Sequence, residues 1–140
     1  MTPNFTLAEL TRTDHRTLDN TPDASAIANL NRLAEFLEIV KAALDGKPII
    51  INSAYRSKAV NDAVGSSDKS QHRVGCAADF RVPGMTPDAV TRAIIAAKLP
   101  FDQIIREFDS WTHVSVPNVV ASKPRGSKLI IDKSGTRAFT

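Results

Sequence analysis

The sequence is short of the features that mark secreted or membrane-spanning proteins. It contains one cysteine, Cys76, so no disulfide can form within the chain, as is typical of folding in a reducing compartment. No apolar run approaches the roughly 18 residues needed to cross a bilayer, so we expect no membrane insertion. The N-terminal MTPNFTLAELTRTD has no basic segment followed by an apolar one. We therefore expect synthesis in the cytoplasm without a signal peptide.

Charge restricts the partners only weakly. The net charge is +3 over 140 residues, a mild bias that is compatible with an anionic polymer such as nucleic acid or cell-wall material. Three basic residues cluster in KPRGSK, at Lys123, Arg125 and Lys128. No recognition helix or pattern of interleaved aromatic residues accompanies them. We therefore interpret the cluster as a solvated loop and expect no nucleic-acid partner.

The periodicity of apolar residues predicts an α+β fold. A helix is expected over residues 24–44, where apolar residues recur at helical spacing. Further helices are expected at residues 58–64 and 86–98, and short strands in KPIII, GCAADFRV, FDQIIREF, WTHVSV and KLIID. The tail KSGTRAFT is expected to be frayed. Because strands and helices do not alternate regularly, we predict one domain over residues 1–140 with a small antiparallel sheet, flanked by helices.

Three residues form a candidate metal site. His72 and Asp79 lie in SQHRVGCAAD, and His113 lies in WTHVS. Two imidazoles and a carboxylate suit a zinc ion whose fourth position is open to water. The small residues Gly75 and Ala77, on the strand face of Asp79, are expected to leave room for the ion. A hydrogen-bonded structural His–Asp pair fits the same spacing, so the spacing alone leaves both interpretations open.

Four segments resemble one family of zinc enzymes, and the resemblance favours the metal site. SQHRVGCAAD matches the S-x-H-x-x-G-x-A-x-D pattern of zinc D-Ala-D-Ala carboxypeptidases and dipeptidases. These enzymes belong to a group that includes lysostaphin-type peptidases and the hedgehog domain. WTHVS resembles the W-x-H segment with their last ligand, and SAYRS resembles their S-G-Y-R-S segment. FTLAELTRTD and DNTP resemble the N-terminus of small phage and bacterial members.

The resemblance implies roles for individual residues. It implies that His72, Asp79 and His113 bind Zn²⁺. It also implies that Arg56 directs its guanidinium at the substrate carbonyl or terminal carboxylate, a task that suits its fork of donors. Ser70 would line the substrate cleft, and we place Trp111 at the edge of the same cleft.

The catalytic base is the point at which the sequence departs from the family pattern. The best-known members have Glu or Asp three residues before the last histidine, where this chain has Ser110. Two carboxylates are close in sequence, Glu107 and Asp109. Glu107 ends an apolar strand and corresponds to the Glu six residues before the last histidine in the hedgehog branch. Asp109 lies at an expected turn, where Asp is favoured for turn formation. We favour Glu107 over Asp109 as the base.

The resemblance implies a zinc-dependent peptidase acting on peptidoglycan stem peptides or cross-links, of the D-Ala-D-Ala carboxypeptidase or endopeptidase type. We expect a monomeric phage or prophage endolysin that reaches the cell wall after holin-type or other release. The bond cleaved stays open between D-Ala-D-Ala, the D-Ala–diaminopimelate cross-link and L-Ala–D-Glu. Two alternatives also stay open: a non-catalytic zinc-binding interaction domain of hedgehog type and, more weakly, a basic nucleic-acid-binding domain.

Overall fold

The computed structural model describes all 140 residues. The chain forms four helices, one 3-10 turn and six strands, which are joined by loops. The predicted α+β class is confirmed. None of the helices is long and apolar enough to pass through a membrane. In chain order the elements are α1 Leu7–Leu10, α2 Ala24–Ala43, β1 Ile50–Ser53, α3 Lys58–Ala63, the 3-10 turn Gln71–Val74, β2 Ala77–Arg81, α4 Pro87–Ala96, β3 Gln103–Glu107, β4 Trp111–Ser115, β5 Ser127–Asp132 and β6 Gly135–Ala138.

The six strands form one sheet in the order β1-β2-β4-β3-β5-β6. Neighbouring strands are antiparallel except β3 and β5, which are parallel, so the expectation of an antiparallel sheet is corrected at this one pair. The cause is the connection after β4. Residues 116–126 carry the chain from the end of β4, across the start of β3, to the start of β5. Both Ser115 and Ser127 are therefore register partners of Gln103.

The C-terminal tail is ordered, which makes the expectation of a frayed tail wrong. Residues 135–138 form β6, which pairs with β5 in a hairpin. The Asp132 carboxylate accepts hydrogen bonds at 2.9 and 2.8 Å from the Arg137 guanidinium across the hairpin, and another from the backbone N–H of Ser134. Every β6 residue is exposed, so the strand has no apolar pattern by which the sequence could indicate it.

One face of the sheet packs against α2 and α4 and forms the core. α2 begins at Asp23, whose carboxylate caps the backbone N–H of Ala26. The predicted apolar stripe of α2 is buried, apart from Ile27 at its margin, which is half-buried. Because side chains alternate along a strand, the neighbours of the buried residues project from the opposite face. The sheet residues on the core face include Ala78, Phe80, Ile104 and Val114.

Gly75 has a different role from the one predicted. It ends the 3-10 turn with φ +81°, before β2 begins, and does not lie on the face of Asp79. A Cβ atom at this position would lie 2.9 Å from the backbone oxygen of Ala26 and 3.0 Å from the side chain of Leu30. Gly75 therefore permits α2 to approach the segment that carries His72.

We predict that Gly75→Ala destabilises the protein more than Gly84→Ala. Gly84 has nearly the same backbone angle, φ +84°, but nothing lies within 4 Å of a Cβ placed there. In both variants alanine must adopt a left-handed backbone conformation, which destabilises the folded state by about 1–2 kcal/mol. Only Gly75→Ala adds the clash with α2. Urea unfolding measures the difference, which we expect to be about 1–3 kcal/mol. Equal losses would show that α2 does not need the glycine.

Candidate metal centre

Three side chains that can bind a metal converge on the face of the sheet opposite the core. His72 comes from the 3-10 turn, Asp79 from β2 and His113 from β4, and Asp79 and His113 are direct register partners. One potential ligand atom from each residue lies within 4.8 Å of the others, and all three residues are buried. Ser70 caps the 3-10 turn, and its hydroxyl accepts a hydrogen bond from the His72 N–H.

The hydrogen bonds fix which nitrogen of His72 faces the cluster. Its Nδ1 lies 2.6 Å from the carbonyl oxygen of Ala54. Because a carbonyl oxygen only accepts, Nδ1 carries a hydrogen, and Nε2 is the nitrogen that faces the cluster. Nε2 lies 3.3 Å from Oδ2 of Asp79, while Nδ1 of His113 lies 2.9 Å from Oδ1. Each imidazole therefore faces a different oxygen of the same carboxylate.

Whether this set of side chains fits a cation depends on whether the Asp79 carboxyl is ionised. Burial by itself would raise the pKa of Asp79, but the neighbouring imidazoles of His72 and His113 outweigh it and hold the pKa well below its ordinary range. The group is thus an ionised carboxylate with 7% of its surface exposed. Two imidazole nitrogens and one anionic oxygen, all buried, match the ligand chemistry of zinc. The residues present therefore fit the ion that the sequence predicts.

Arg56 lies beside the cluster and is held on several sides. Its Nη2 lies 3.4 Å from Oδ2 of Asp79, its Nε donates to Oγ of Ser53 at 3.3 Å and its Nη1 donates to Oδ1 of Asn61 at 3.3 Å. Its backbone N–H donates to the carbonyl of His72 at 2.9 Å. The side chain is 14% exposed. The guanidinium therefore has a fixed position next to the carboxylate.

Asn61, which sequence reasoning missed, links Arg56 to the loop at the mouth of the site. Its side chain is fully buried in α3. Its Oδ1 accepts from Arg56, and its Nδ2 donates to the carbonyls of Ser66 and Ser67 at 3.3 and 2.9 Å. No local sequence pattern marks Asn61, because its partners come from Arg56 and from the loop after α3.

Asn20, in the DNTP segment, supports Arg56 from the other side. Its Nδ2 donates to the carbonyls of Thr11 and Tyr55 at 2.8 and 3.1 Å. Its Oδ1 accepts from the N–H of Ser57 at 2.7 Å. The amide therefore holds the backbone immediately before and after Arg56. The sequence resemblance included this segment without assigning it a function.

The cluster lies in a cleft of about 430 Å³ that also contains the other predicted site residues. Arg56, Ser70, Glu107 and Trp111 line it together with the three candidate ligands, whereas Asp109 and Ser110 do not. Trp111 is partly buried and is one of the residues that line the cleft. The cleft residues that sequence reasoning did not include are Ser66, Lys69, Gln71, Gln103, Ile105 and Arg125.

The turn between β3 and β4 separates the two candidate bases. Phe108 and Asp109 have φ +52° and +48°, and the N–H of Ser110 donates to the carbonyl of Glu107, as in a type I′ hairpin turn. Asp109 is therefore outside the cleft, with a side chain that is 69% exposed and paired with Arg106 at 3.1 Å. The hydroxyl of Ser110 donates to the carbonyl of Phe108.

Glu107 remains on the cleft face. Its Oε1 lies 4.0 Å from Nδ1 of His113, and its side chain is 18% exposed. Burial raises the pKa of Glu107, and the negative charge of Asp79 raises it further. A carboxyl with a raised pKa beside a metal-ligand cluster is suited to accepting and returning a proton. The geometry thus gives Glu107 the surroundings of a general base and Asp109 those of a turn residue.

Comparison with known proteins identifies the family to which the chain belongs. A family model described as Peptidase M15 matches residues 3–115. The chain belongs to the peptidase M15 family. It is also 37% identical over 79 residues to the zinc D-Ala-D-Ala carboxypeptidase of Streptomyces albus G, an alignment that covers 55% of this chain and 31% of that protein. The chain thus matches about a third of the length of this curated relative.

These findings confirm the family resemblance indicated by the four sequence segments. The predictions of a zinc metallopeptidase and of a zinc cofactor are supported by the peptidase family, by the zinc in the name of the relative and by the His–Asp–His group of this chain. Residues 116–140, which include β5 and β6, lie outside the family match.

We predict that Asn61→Ala destabilises the protein and loosens the loop that follows α3. The substitution removes three hydrogen bonds of a buried amide and leaves the carbonyl of Ser66 without this donor, while the carbonyl of Ser67 keeps only the N–H of Ser70. We expect a loss of about 2–4 kcal/mol in urea unfolding. Trypsin cleavage after Lys69 should accelerate in parallel. Exposed Asn52→Ala is the matched control and should change stability by less than about 0.5 kcal/mol. Unchanged proteolysis at Lys69 would show that Asn61 does not hold the loop.

Proposed function

We propose that the chain is a zinc-dependent peptidase that hydrolyses a peptide bond in the stem peptides or cross-links of bacterial peptidoglycan. The observation that carries the proposal is the position of Glu107. Its carboxyl lies in the same cleft as the three candidate ligands, 4.0 Å from His113, although the usual base position is occupied by Ser110. The named activity of the Streptomyces relative supports the substrate class.

The ligands in this proposal are His72, Asp79 and His113. When bound, zinc lowers the pKa of a water molecule and polarises the scissile carbonyl. The hydrogen bond from His72 Nδ1 to Ala54 keeps that ring in the orientation and tautomer that binding requires. The backbone contact between Arg56 and His72 ties the substrate-binding segment to the ligand-bearing turn.

Proton transfer is assigned to Glu107. The ionised carboxylate accepts a proton from the attacking water, and the resulting carboxylic acid gives that proton to the departing amine. The base thus returns to its starting state at the end of each turnover. Partial burial beside Asp79 keeps the pKa of Glu107 raised, which favours the first of these transfers, because a higher pKa makes the carboxylate a stronger base. Asp109 is not positioned to substitute, because its carboxylate is outside the cleft and paired with Arg106.

Arg56 is assigned to the oxygen atoms of the substrate. Its guanidinium lines the cleft beside Asp79 and is held by Ser53 and Asn61, so it needs little reorganisation on binding. A fixed cation of this kind stabilises negative charge that develops on a carbonyl oxygen, or binds a terminal carboxylate. Ser70 and Trp111 complete the walls of the cleft.

We propose further that the protein acts as a phage or prophage endolysin, made in the cytoplasm and released to the wall by a holin-type or other route. The N-terminal resemblance to small phage members supports this role. We also propose that residues 1–140 form one domain that is active as a monomer, because every candidate site residue comes from one chain. Expression in a bacterium with and without a holin tests the release route. Lysis only with the holin is expected for holin-dependent release, and lysis without it would contradict that route.

We predict that Glu107→Gln binds zinc but loses at least about 100-fold in the rate of peptidoglycan hydrolysis, since general acid–base catalysis contributes about that much or more. Release of new amino groups from isolated peptidoglycan measures the rate, with and without a chelator. Asp109→Asn is the matched control and should stay within about threefold of the parent protein, because its carboxylate is not in the cleft.

Three results would contradict parts of this proposal. Near-normal hydrolysis by Glu107→Gln with zinc bound would remove Glu107 as the base. Loss of activity in Asp109→Asn alone would transfer that role to Asp109. No hydrolysis by the zinc-loaded parent protein would favour the non-catalytic, hedgehog-type interaction domain. Mass spectrometry of the released muropeptides identifies the bond that is cut.

A further inference from the structure

The cleft does not end at the metal-ligand cluster. Beyond Gln103, at the end of β3 opposite Glu107, a second cavity of about 420 Å³ adjoins it. The two cavities share Lys69, Gln71 and Arg125. We call the second cavity the distal groove and define it by Lys69, Gln71, Asn118, Lys123 and Arg125.

Arg125 is fixed at the boundary between the cleft and the distal groove. Its Nε and Nη2 lie 3.0 and 2.8 Å from Oδ2 of Asp102, and its backbone N–H donates to Oδ1 at 3.0 Å. Asp102 is 5% exposed. Burial would raise the pKa of Asp102, but the bonds from Arg125 outweigh it and keep the carboxylate ionised. Asp102 thus holds the guanidinium through two bonds and the backbone of Arg125 through a third.

The wall shared with the cleft is also ordered. Nε2 of Gln71 donates to the carbonyl of Val116 and to Oδ1 of Asn118, both at 2.9 Å. Gln71 is the first residue of the 3-10 turn that carries His72. The distal groove is therefore built from the same turn as the metal centre, and its position relative to that centre is fixed.

The distal groove carries positive charge that the protein does not neutralise. Lys69 and Lys123 are exposed and take part in no ion pair. The one carboxylate in the groove belongs to Asp102, and it is already bound to Arg125. The two lysines thus leave about two unpaired positive charges facing a cavity that opens directly from the cleft.

We propose that the distal groove binds a free carboxylate of the substrate, on the part of the peptide that extends from the scissile bond past Gln103. The inference rests on the proposed function and specifies its substrate as an acidic peptide that continues well beyond the reacting bond. Lys123 and Arg125 lie outside the region that matches the family model, so this subsite belongs to the chain's own C-terminal segment. Lys69 and Lys123 would be specificity-determining residues.

The test measures binding of soluble muropeptides to zinc-loaded protein carrying Glu107→Gln, which prevents turnover. Two probes are compared: muropeptides with free carboxylates, and the same muropeptides with the carboxylates amidated. Lys69→Gln and Lys123→Gln are combined in one variant. Comparing the variant with its parent on each probe cancels any contribution of the carboxylates to other parts of the site.

We expect the double variant to bind the carboxylate probe about fivefold more weakly than its parent, and the amidated probe equally well, as is typical of two exposed charge contacts. Lys128→Gln combined with Lys133→Gln removes the same charge outside both cavities and should leave binding of both probes unchanged. The weakening should also diminish as salt is added.

An unchanged affinity of the Lys69 and Lys123 variant for the carboxylate probe would overturn the inference. An equal weakening for both probes, or for the control variant, would also overturn it, because the effect would then not depend on a carboxylate at this groove. These failures are distinct from failure of the proposed function. In that case the zinc-loaded protein without substitutions would hydrolyse neither probe.

Discussion

Asp79 places an ionised carboxylate inside the sheet, and the rest of the site is arranged around that charge. An unpaired buried carboxylate costs several kcal/mol, so the fold supplies partners from three directions. His113 faces it from the adjacent strand, His72 from the 3-10 turn, and Arg56 from the segment after β1. Each partner is tied to the backbone of another element, so the site and the local fold are mutually dependent.

The alternation of side chains along the strands then separates structural from chemical functions. One face of the sheet packs on α2 and α4, while Asp79, His113 and Glu107 lie on the other. The tight turn after β3 keeps Glu107 on the cleft face and turns Asp109 towards solvent. A base can therefore lie beside the candidate ligands even though the usual base position holds Ser110. In the mechanism that we propose, the base is therefore Glu107 at the end of β3 in place of a residue at position 110.

Much of the fold and of the site could be predicted from sequence because the signals were local or formed a known pattern. The periodicity of α2 and its Asp23 cap are local, as are the alternating strands. The candidate ligands were found because their spacing resembles a family motif.

Other features were not predictable because they depend on contacts between distant segments. The parallel pairing of β5 with β3 follows from how residues 116–126 cross the sheet, and β6 is entirely exposed. Asn61 acquires its function only when Arg56 and the loop after α3 meet it. The distal groove likewise combines Lys69 with Lys123 and Arg125 across more than fifty residues of sequence, a juxtaposition that the linear pattern KPRGSK does not reveal.

The central claim is that this buried carboxylate and its two imidazoles hold one zinc ion, and zinc titration against a competing chelator tests it most directly. We expect the protein to bind one zinc per chain. Asp79→Asn keeps the shape of the side chain and removes its charge, so it should bind zinc more than about 100-fold more weakly, since even loss of an outer-shell partner costs 10–100-fold. Cys76→Ser is the control variant: it changes a residue of the core and should leave the affinity for zinc unchanged. Undiminished zinc binding by a folded Asp79→Asn protein would contradict the account.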